Sequence, residues 1–338
     1  MIGVLLVNLG TPDSPDPSAV RRYLREFLSD PRVMDIGPVA RWLLVNLVIL
    51  PTRPRTSAAA YQKIWTERGS PLLAHTRDLA DAVAAALGER FAVRVAMRYG
   101  RPSIETALDE LGGADRIVVL PLFPQYSSAS TGSALERVMR LAATRDVIPA
   151  LRVIGSFHED PGTLDAFAAV GRPVIAETRP DHVLFSFHGL PERQVLRSDG
   201  TGRTCLRTDA CCDGYGAENR RCYRASCFET ARQVARRLDL AAGAFSVSFQ
   251  SRLGRTRWIE PHTDVVVRDL ARTGVRRLVV FSPSFVADCV ETLEELGIRA
   301  RDDFARLGGA ELRLVPSLNA TPGWVEAVAR MVRDAAGS

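Results

Sequence analysis

Cysteine is scarce in this chain. Six occur in 338 residues, and five of them fall in one stretch, CLRTDACCDGYGAENRRCYRASC, from Cys205 to Cys227. Long apolar runs are missing too: WLLVNLVIL, from Trp42 to Leu50, is far too short to cross a bilayer as a helix. The opening MIGVLLVNLGTPDS has no basic segment before its apolar residues, and Gly10-Thr11-Pro12 ends the run early, so no secretory leader is expected. There is no long basic run, no interleaving of arginine with aromatics and no zinc-finger spacing with paired histidines, which argues against a nucleic-acid partner. These absences predict a cytoplasmic protein, where clustered thiols suit a metal better than disulfides.

What is present is ordinary in bulk. A hydrophobic fraction of 46% and a charged fraction of 25% fit a globular protein with a sizeable core. The net charge of +5 comes almost wholly from arginine. A solvated arginine surface accounts for it, and it also suits an anionic ligand or an anionic membrane surface.

Short, nearly continuous apolar runs predict strands at Ile2–Asn8, Val93–Tyr99, Arg116–Leu122, Leu151–Ser156, His182–Phe187, Phe245–Phe249, Leu278–Ser282 and Leu312–Pro316, each buried on both faces. Amphipathic patterns predict helices at Val20–Leu28, Leu72–Leu87, Cys227–Leu238 and Thr321–Ala335. Strands alternating with helices indicate an α/β fold with parallel sheets. ADRIVVLPLFPQYSSASTGSALERV echoes VRRLVVFSPSFVADCVETLEEL, and LLVNLGTPDS echoes VLFSFHGLPE. The echo suggests a duplicated α/β unit with ligand groups at the carboxyl ends of strands, in a cleft between two lobes.

His188 ends the strand VLFSFHGLP, where Gly189 and Pro191 turn the chain. An imidazole there can take a proton near neutral pH or ligate a metal; equally, it can be a hydrogen-bonded strand end. Glu291 falls where a strand hands over to a predicted helix, Val290 to Leu296. A carboxylate in a first turn is favoured by the helix dipole alone, but paired with His188 it would suit ferrous iron. The hydroxyl-rich stretch from Pro124 to Ser133 reads as an anion site or a plain cap. Arg53, Arg98 and Tyr99 are candidates for carboxylate recognition.

The segments VNLGTPDSPDPSAVRRYLREFLSDPRV, PTRPRTSAAAYQKIWTERGSPL, MRYGRPSI, LPLFPQYSSASTGS, SFHGLP, SFQSRLGRTRWIEPHTD and SPSFVADCVETLEELGI resemble the ferrochelatase family in family order over nearly the whole chain. The resemblance implies two similar Rossmann-like lobes around a porphyrin cleft, residues 1–155 and 156–320, with helix 321–336 packing back on the first lobe and a cysteine-rich insertion at 200–227. It implies insertion of Fe2+ into a porphyrin, with His188 accepting the pyrrole protons and Glu291 as the opposing carboxylate, both able to meet the iron. It places Arg53, Tyr61, Arg98, Tyr99, Ser130 and Trp258 against the porphyrin. Residues 36–50 match the apolar lip that grips the macrocycle edge and can touch the inner membrane from the cytoplasmic side. Many family members carry histidine where this chain has Cys289, so an imidazole cannot be strictly required there. An apolar lip with no evident second set of basic anchors leans toward protoporphyrin IX over coproporphyrin III.

Some bacterial ferrochelatases carry a [2Fe–2S] cluster, and the insertion after SFHGLP resembles that subgroup. The expected ligands are Cys205, Cys222, Cys227 and Cys212, with Cys211 in place of Cys212 as the alternative; four thiolates around zinc are the rival. Three other readings remain: a cobalt chelatase of the same superfamily, a ligand-binding protein whose cleft needs no base, and an iron–sulfur sensor on an old scaffold. The sensor is disfavoured because His188 and Glu291 are both present. The oligomeric state is left open.

Overall fold

In the computed structural model, which describes residues 1–252, 254 and 256–337, the chain divides into two units. Leu253 and Arg255, within the SFQSRLGRTRWIEPHTD stretch, and Ser338 lie outside the described residues.

The first unit comprises Met1–Ser156 and Asn319–Ser338. Its strands are β1 (Ile2–Gly10), β2 (Phe91–Tyr99), β3 (Arg116–Pro121) and β4 (Ala150–Val153), all parallel, in the order β2-β1-β3-β4. Between them run α1 (Pro17–Ser29), α2 (Pro38–Leu43), α3 (Leu50–Ile64), α4 (Pro71–Leu87), α5 (Ile104–Glu110) and α6 (Ser133–Ala143). The period of two along β1 sends Leu5 and Val7 to one face, where they pack with Leu108, Leu111, Ala134 and Val138. Val4 and Leu6 are equally buried, so the central strands have no polar face.

The second unit, Phe157–Leu318, repeats the plan. β5 (His182–His188), β6 (Phe245–Gln250), β7 (Arg277–Phe281) and β8 (Glu311–Leu314) are parallel, in the order β6-β5-β7-β8. The helices are α7 (Pro161–Thr178), α8 (Glu192–Ser198), α9 (Tyr223–Arg237), α10 (Thr263–Arg272) and α11 (Arg301–Arg306). Gly171 lets α7 lie directly on β7: a Cβ there would come within 2.2 Å of the Phe281 ring. The last helix, α12 (Pro322–Ala336), belongs to the first unit and packs on α4. The segments that echo one another in sequence are β1 with β5 and β3 with β7, which hold the same places in the two sheets.

One expectation needs correction. β4 is an edge strand whose residues are mostly exposed, not buried on both faces, because among the described residues nothing pairs beyond it. The helix predicted at Val290 to Leu296 is present as a π-helical segment, Glu291–Ala300, one of three with Leu44–Ile49 and Ser128–Gly132 among the described residues. Such wide turns are rare and concentrate at functional sites.

Candidate active site

The second sheet explains how His188 and Glu291, distant in sequence, come together. Phe185 of β5 pairs with Phe281 of β7. Three residues further on, at the end of β5 and in the turn beyond β7, the His188 N–H donates to Ser284 Oγ at 3.2 Å. β5 has β6 on one side and β7 on the other, so the chain reverses direction across the sheet between β5 and β7. Open α/β sheets bind ligands at that switch point, beyond the carboxyl ends of the strands. Glu291 follows β7 as the first residue of its π-helical segment. Its carboxyl group lies within electrostatic reach of His188.

The imidazole is oriented by its own backbone. His188 Nδ1 lies 2.7 Å from the Gly189 carbonyl oxygen. A carbonyl only accepts, so Nδ1 carries a proton, and in the neutral ring Nε2 is the nitrogen with the lone pair. The ring meets Phe285 edge-on at 6.1 Å and is half-buried. Gly189 has no room for a side chain: a Cβ would sit 2.8 Å from the Gln250 carbonyl oxygen and 3.2 Å from the Trp258 ring. Its N–H donates to that same carbonyl at 2.8 Å. Gln250 serves both partners, since its Nε2 donates to the Glu291 carbonyl at 2.9 Å while its Oε1 accepts from Ser186 Oγ.

Burial raises the half-buried Glu291 carboxyl above the ordinary range; the Cys289 thiol beside it and His188 in its protonated form oppose the rise. Cys289 is buried, and its own thiol is pushed well up by burial and then by the Glu291 charge. It therefore acts here as a neutral donor to the carboxylate.

In the first unit, the expected porphyrin contacts separate into two groups. Arg98 and Tyr99 are engaged internally. Asp30 accepts from Arg98 Nη2 at 2.6 Å, from the Tyr99 hydroxyl at 2.8 Å and from Ser133 Oγ at 2.5 Å. Burial alone would raise the Asp30 carboxyl, but hydrogen bonds from Ser133, the Arg32 N–H and Tyr99, with the Arg98 charge, bring it below the usual range. Arg53 is exposed on α3, and Tyr61 is buried against Trp65 with ring centroids 6.2 Å apart. Ser130 Oγ lies 2.6 Å from Ser127 Oγ, and its N–H donates to the same hydroxyl, so this stretch caps its own π-helical turn. Trp258, in the second unit, bridges to Pro191 beside Gly189. From α2 onward, Val39, Trp42, Leu47 and Val48 are each more than half exposed, at 71%, 60%, 61% and 54%.

A pocket of about 360 Å³ in the first unit went unread in the sequence. Thr11, Asp13, Trp65, Arg68, Arg77 and Arg101 are among its lining residues. Asp78 holds Arg68 through two hydrogen bonds. Three arginines beside an indole suit the acidic edge of a flat ligand. Their positions lie in three separate segments, so no local motif announced them.

The cysteine segment is built by side chains bonding to backbone. Asp199 accepts from the N–H groups of Thr201, Thr204 and Cys205. Asn219 accepts from the Gly216 N–H and donates to the Cys211 and Gly214 carbonyls. Cys205, Cys212, Cys222 and Cys227 are buried, while Cys211 is half-buried with the Arg224 guanidinium 3.8 Å from its sulfur. Cys222 neighbours both Cys205 and Cys212, and Cys212 feels Cys227. Proximity to Cys222 and then burial raise the Cys212 thiol; burial raises those of Cys205 and Cys227. Among the described residues no group of three or more His, Cys, Asp or Glu is disposed about a single metal ion.

A sequence model of the family described as Ferrochelatase matches residues 1–336. The chain belongs to the ferrochelatase family. A curated ferrochelatase from Coxiella burnetii (strain CbuK_Q154) is 49% identical over 334 residues, covering 98% of this chain and 93% of its own length. Another from Legionella pneumophila (strain Lens) is 46% identical over 332 residues, covering 98% of each. Among solved structures, the sirohydrochlorin chelatase SirB from Bacillus subtilis subspecies spizizenii, in complex with cobalt, aligns over 99% of this chain and 95% of its own with a TM-score of 0.55. At 11% identity that likeness is one of fold. The ferrochelatase motif SFHGLP is thus a strand end with one committed nitrogen and one open nitrogen. Besides the pocket, the supports missed by sequence reasoning are Asp30, Gln250 and Tyr223, whose hydroxyl donates to the His188 carbonyl oxygen.

Proposed function

We propose that this ferrochelatase-family protein inserts ferrous iron into a porphyrin, with His188 as the base and Glu291 as its carboxylate partner. One observation carries the reading: the open Nε2 of His188 and the Glu291 carboxyl share the switch point of one sheet. Insertion breaks two pyrrole N–H bonds as iron–nitrogen bonds form, so two protons must leave. Nε2 accepts the two protons in turn as iron enters, giving up the first before it takes the second. Glu291, raised by burial, holds a proton more readily than an ordinary glutamate and relays it onward or meets the iron. Arg53, Tyr61, Ser130 and Trp258 are assigned to the porphyrin periphery. Arg98 and Tyr99 support that surface through Asp30 and reach a propionate only by giving Asp30 up.

Protoporphyrin IX is the proposed substrate, on the strength of the exposed apolar residues Val39, Trp42, Leu47 and Val48. The same residues would let a cytoplasmic protein rest against the inner membrane. A second reading, coproporphyrin III, draws support from the pocket holding Arg68, Arg77 and Arg101, since that porphyrin carries more carboxylates.

The donor set also fits a [2Fe–2S] cluster, which takes four thiolates, two on each iron, rather than three or four on one ion. Cys205, Cys212, Cys222 and Cys227 would hold it, and the outward half of Cys211 makes it the weaker choice. Such a cluster supplies one-electron chemistry and a cross-link for a segment with little apolar core. Cys227→Ser should then lower soluble yield; normal yield and melting temperature with no bound iron would defeat this assignment, and zinc on metal analysis would replace it.

Anaerobic Fe2+ insertion followed by absorbance, run with both porphyrins, tests the main reading. Faster metallation of protoporphyrin IX is expected. Preference for coproporphyrin III would move the substrate, and no insertion into either would end the assignment.

A further inference from the structure

One side chain touches both the cysteine segment and the strand end that carries His188. Tyr223 opens α9 directly after Cys222 and lies one helical turn before Cys227, so two cysteines of the segment bracket it on the chain. Its ring is buried, and its hydroxyl reaches the other way. It donates to the His188 carbonyl oxygen at 2.8 Å and lies 3.1 Å from Ser284 Oγ. Ser284 Oγ in turn accepts from the His188 N–H at 3.2 Å. The peptide groups on either side of the His188 Cα are therefore both fixed by the Tyr223–Ser284 pair. On the β6 side His188 pairs with Gln250, whose carbonyl accepts from the Gly189 N–H at 2.8 Å, so the Tyr223–Ser284 pair is the anchor on the opposite side, and the ring is held by the Gly189 carbonyl, which follows the same backbone. A shift of α9 would pull on that peptide from the Tyr223 side, against its hold on β6.

We propose that Tyr223 is a positioning residue that couples the cysteine pocket to His188. Ordering of Cys222 and Cys227 fixes the start of α9, the Tyr223 hydroxyl carries that order to the His188 backbone, and the imidazole is aimed. Loss of order at the cysteines is read out as slower proton removal, with porphyrin binding unaffected. A buried phenol needs a partner in any case; what sets this one apart is that its partners flank the proposed base on both sides. The inference rests on the reading of His188 as base and of the cysteines as the cluster site.

The test uses Tyr223→Phe, which removes the hydroxyl and keeps the ring. At saturating substrate kcat for iron insertion should fall about tenfold, comparable to other couplings through packed networks. KM for porphyrin and the iron and sulfide content should stay at wild-type values. Hydrogen exchange of the backbone amides at 186–190 should quicken. Removing iron from the purified wild-type protein should quicken the same amides, and should do nothing further in Tyr223→Phe, as for two changes acting through one link. A variant whose kcat stays within about twofold of wild type, or whose KM alone changes, overturns the proposal. So does additive exchange on iron removal. A preparation free of iron and sulfide overturns its cysteine half. Failure of the underlying catalytic reading looks different: His188→Ala would then insert iron at the wild-type rate, whereas failure of the coupling alone leaves His188→Ala inactive and Tyr223→Phe unimpaired.

Discussion

The two sheets share one strand order and diverge in what they place at the carboxyl ends of their central strands. β1 ends at Gly10, with φ of +124° and so little room that a Cβ would strike the Tyr99 carbonyl oxygen at 1.9 Å. Around it the polar groups close on themselves, because Asp30 takes a hydrogen bond from each of Arg98, Tyr99 and Ser133. β5 ends instead in His188, which satisfies one ring nitrogen and has no partner for the other among the described residues. Its carboxylate neighbour is raised by burial where Asp30 is lowered by its partners. A closed network of this kind holds a fold together, whereas an unpartnered ring nitrogen beside a desolvated acid is the costlier arrangement that the proposed chemistry would use. One scaffold used twice can therefore carry both, since chemistry resides in the side chains grafted on it.

The comparison breaks first at Asp30. Asp30→Ala leaves the half-buried Arg98 guanidinium without its anion and the buried Tyr99 and Ser133 hydroxyls without their acceptor, and should cost about 3–5 kcal/mol in chemical denaturation. The pH dependence has a definite sign. The folded Asp30 carboxyl lies below its unfolded value, so its contribution is present above a pH of about 4 and is lost as pH falls further. The stability gap between wild type and Asp30→Asn should accordingly narrow in acid. The second unit should answer in the opposite currency. Glu291→Gln should slow iron insertion about 100-fold, or about 2.7 kcal/mol of barrier, while thermal stability at neutral pH holds or improves. A folded carboxyl raised above its unfolded value loses stability as pH climbs past that unfolded value, and the amide removes the loss. If Glu291→Gln unfolds the protein and leaves the rate intact, the contrast between the units is wrong. The smallest effect concerns the apolar surface near α2. Trp42→Ser with Leu47→Ser should alter stability by no more than about 0.5 kcal/mol, since both are exposed. Sedimentation with anionic lipid vesicles should drop; unchanged sedimentation would remove the membrane contact.

Periodicity made the sheets legible. Each of the eight predicted strands has a counterpart within a few residues, because central strands buried on both faces leave continuous apolar runs. The internal echo paired β1 with β5 and β3 with β7, and those strands occupy matching places. His188 was legible as a strand end, since Gly189 and Pro191 punctuate it. Its meeting with Glu291 was not, because adjacency of β5 and β7 is a property of pairing order and not of spacing. Asp30 was hidden for the same reason: its partners come from the end of β2 and the start of α6, distant in sequence. The π-helical segment at Glu291 leaves no periodic signature that an α-helix would not leave.

The measurement that bears most directly on the whole account is anaerobic iron insertion by His188→Ala at saturating porphyrin, taken together with its porphyrin affinity. Removing a general base should lower the rate by about 100-fold or more while affinity stays at the wild-type value. Insertion at the wild-type rate would show that Nε2 takes no proton in the reaction, and the assignment of the second sheet's switch point as the reactive site would fall with it.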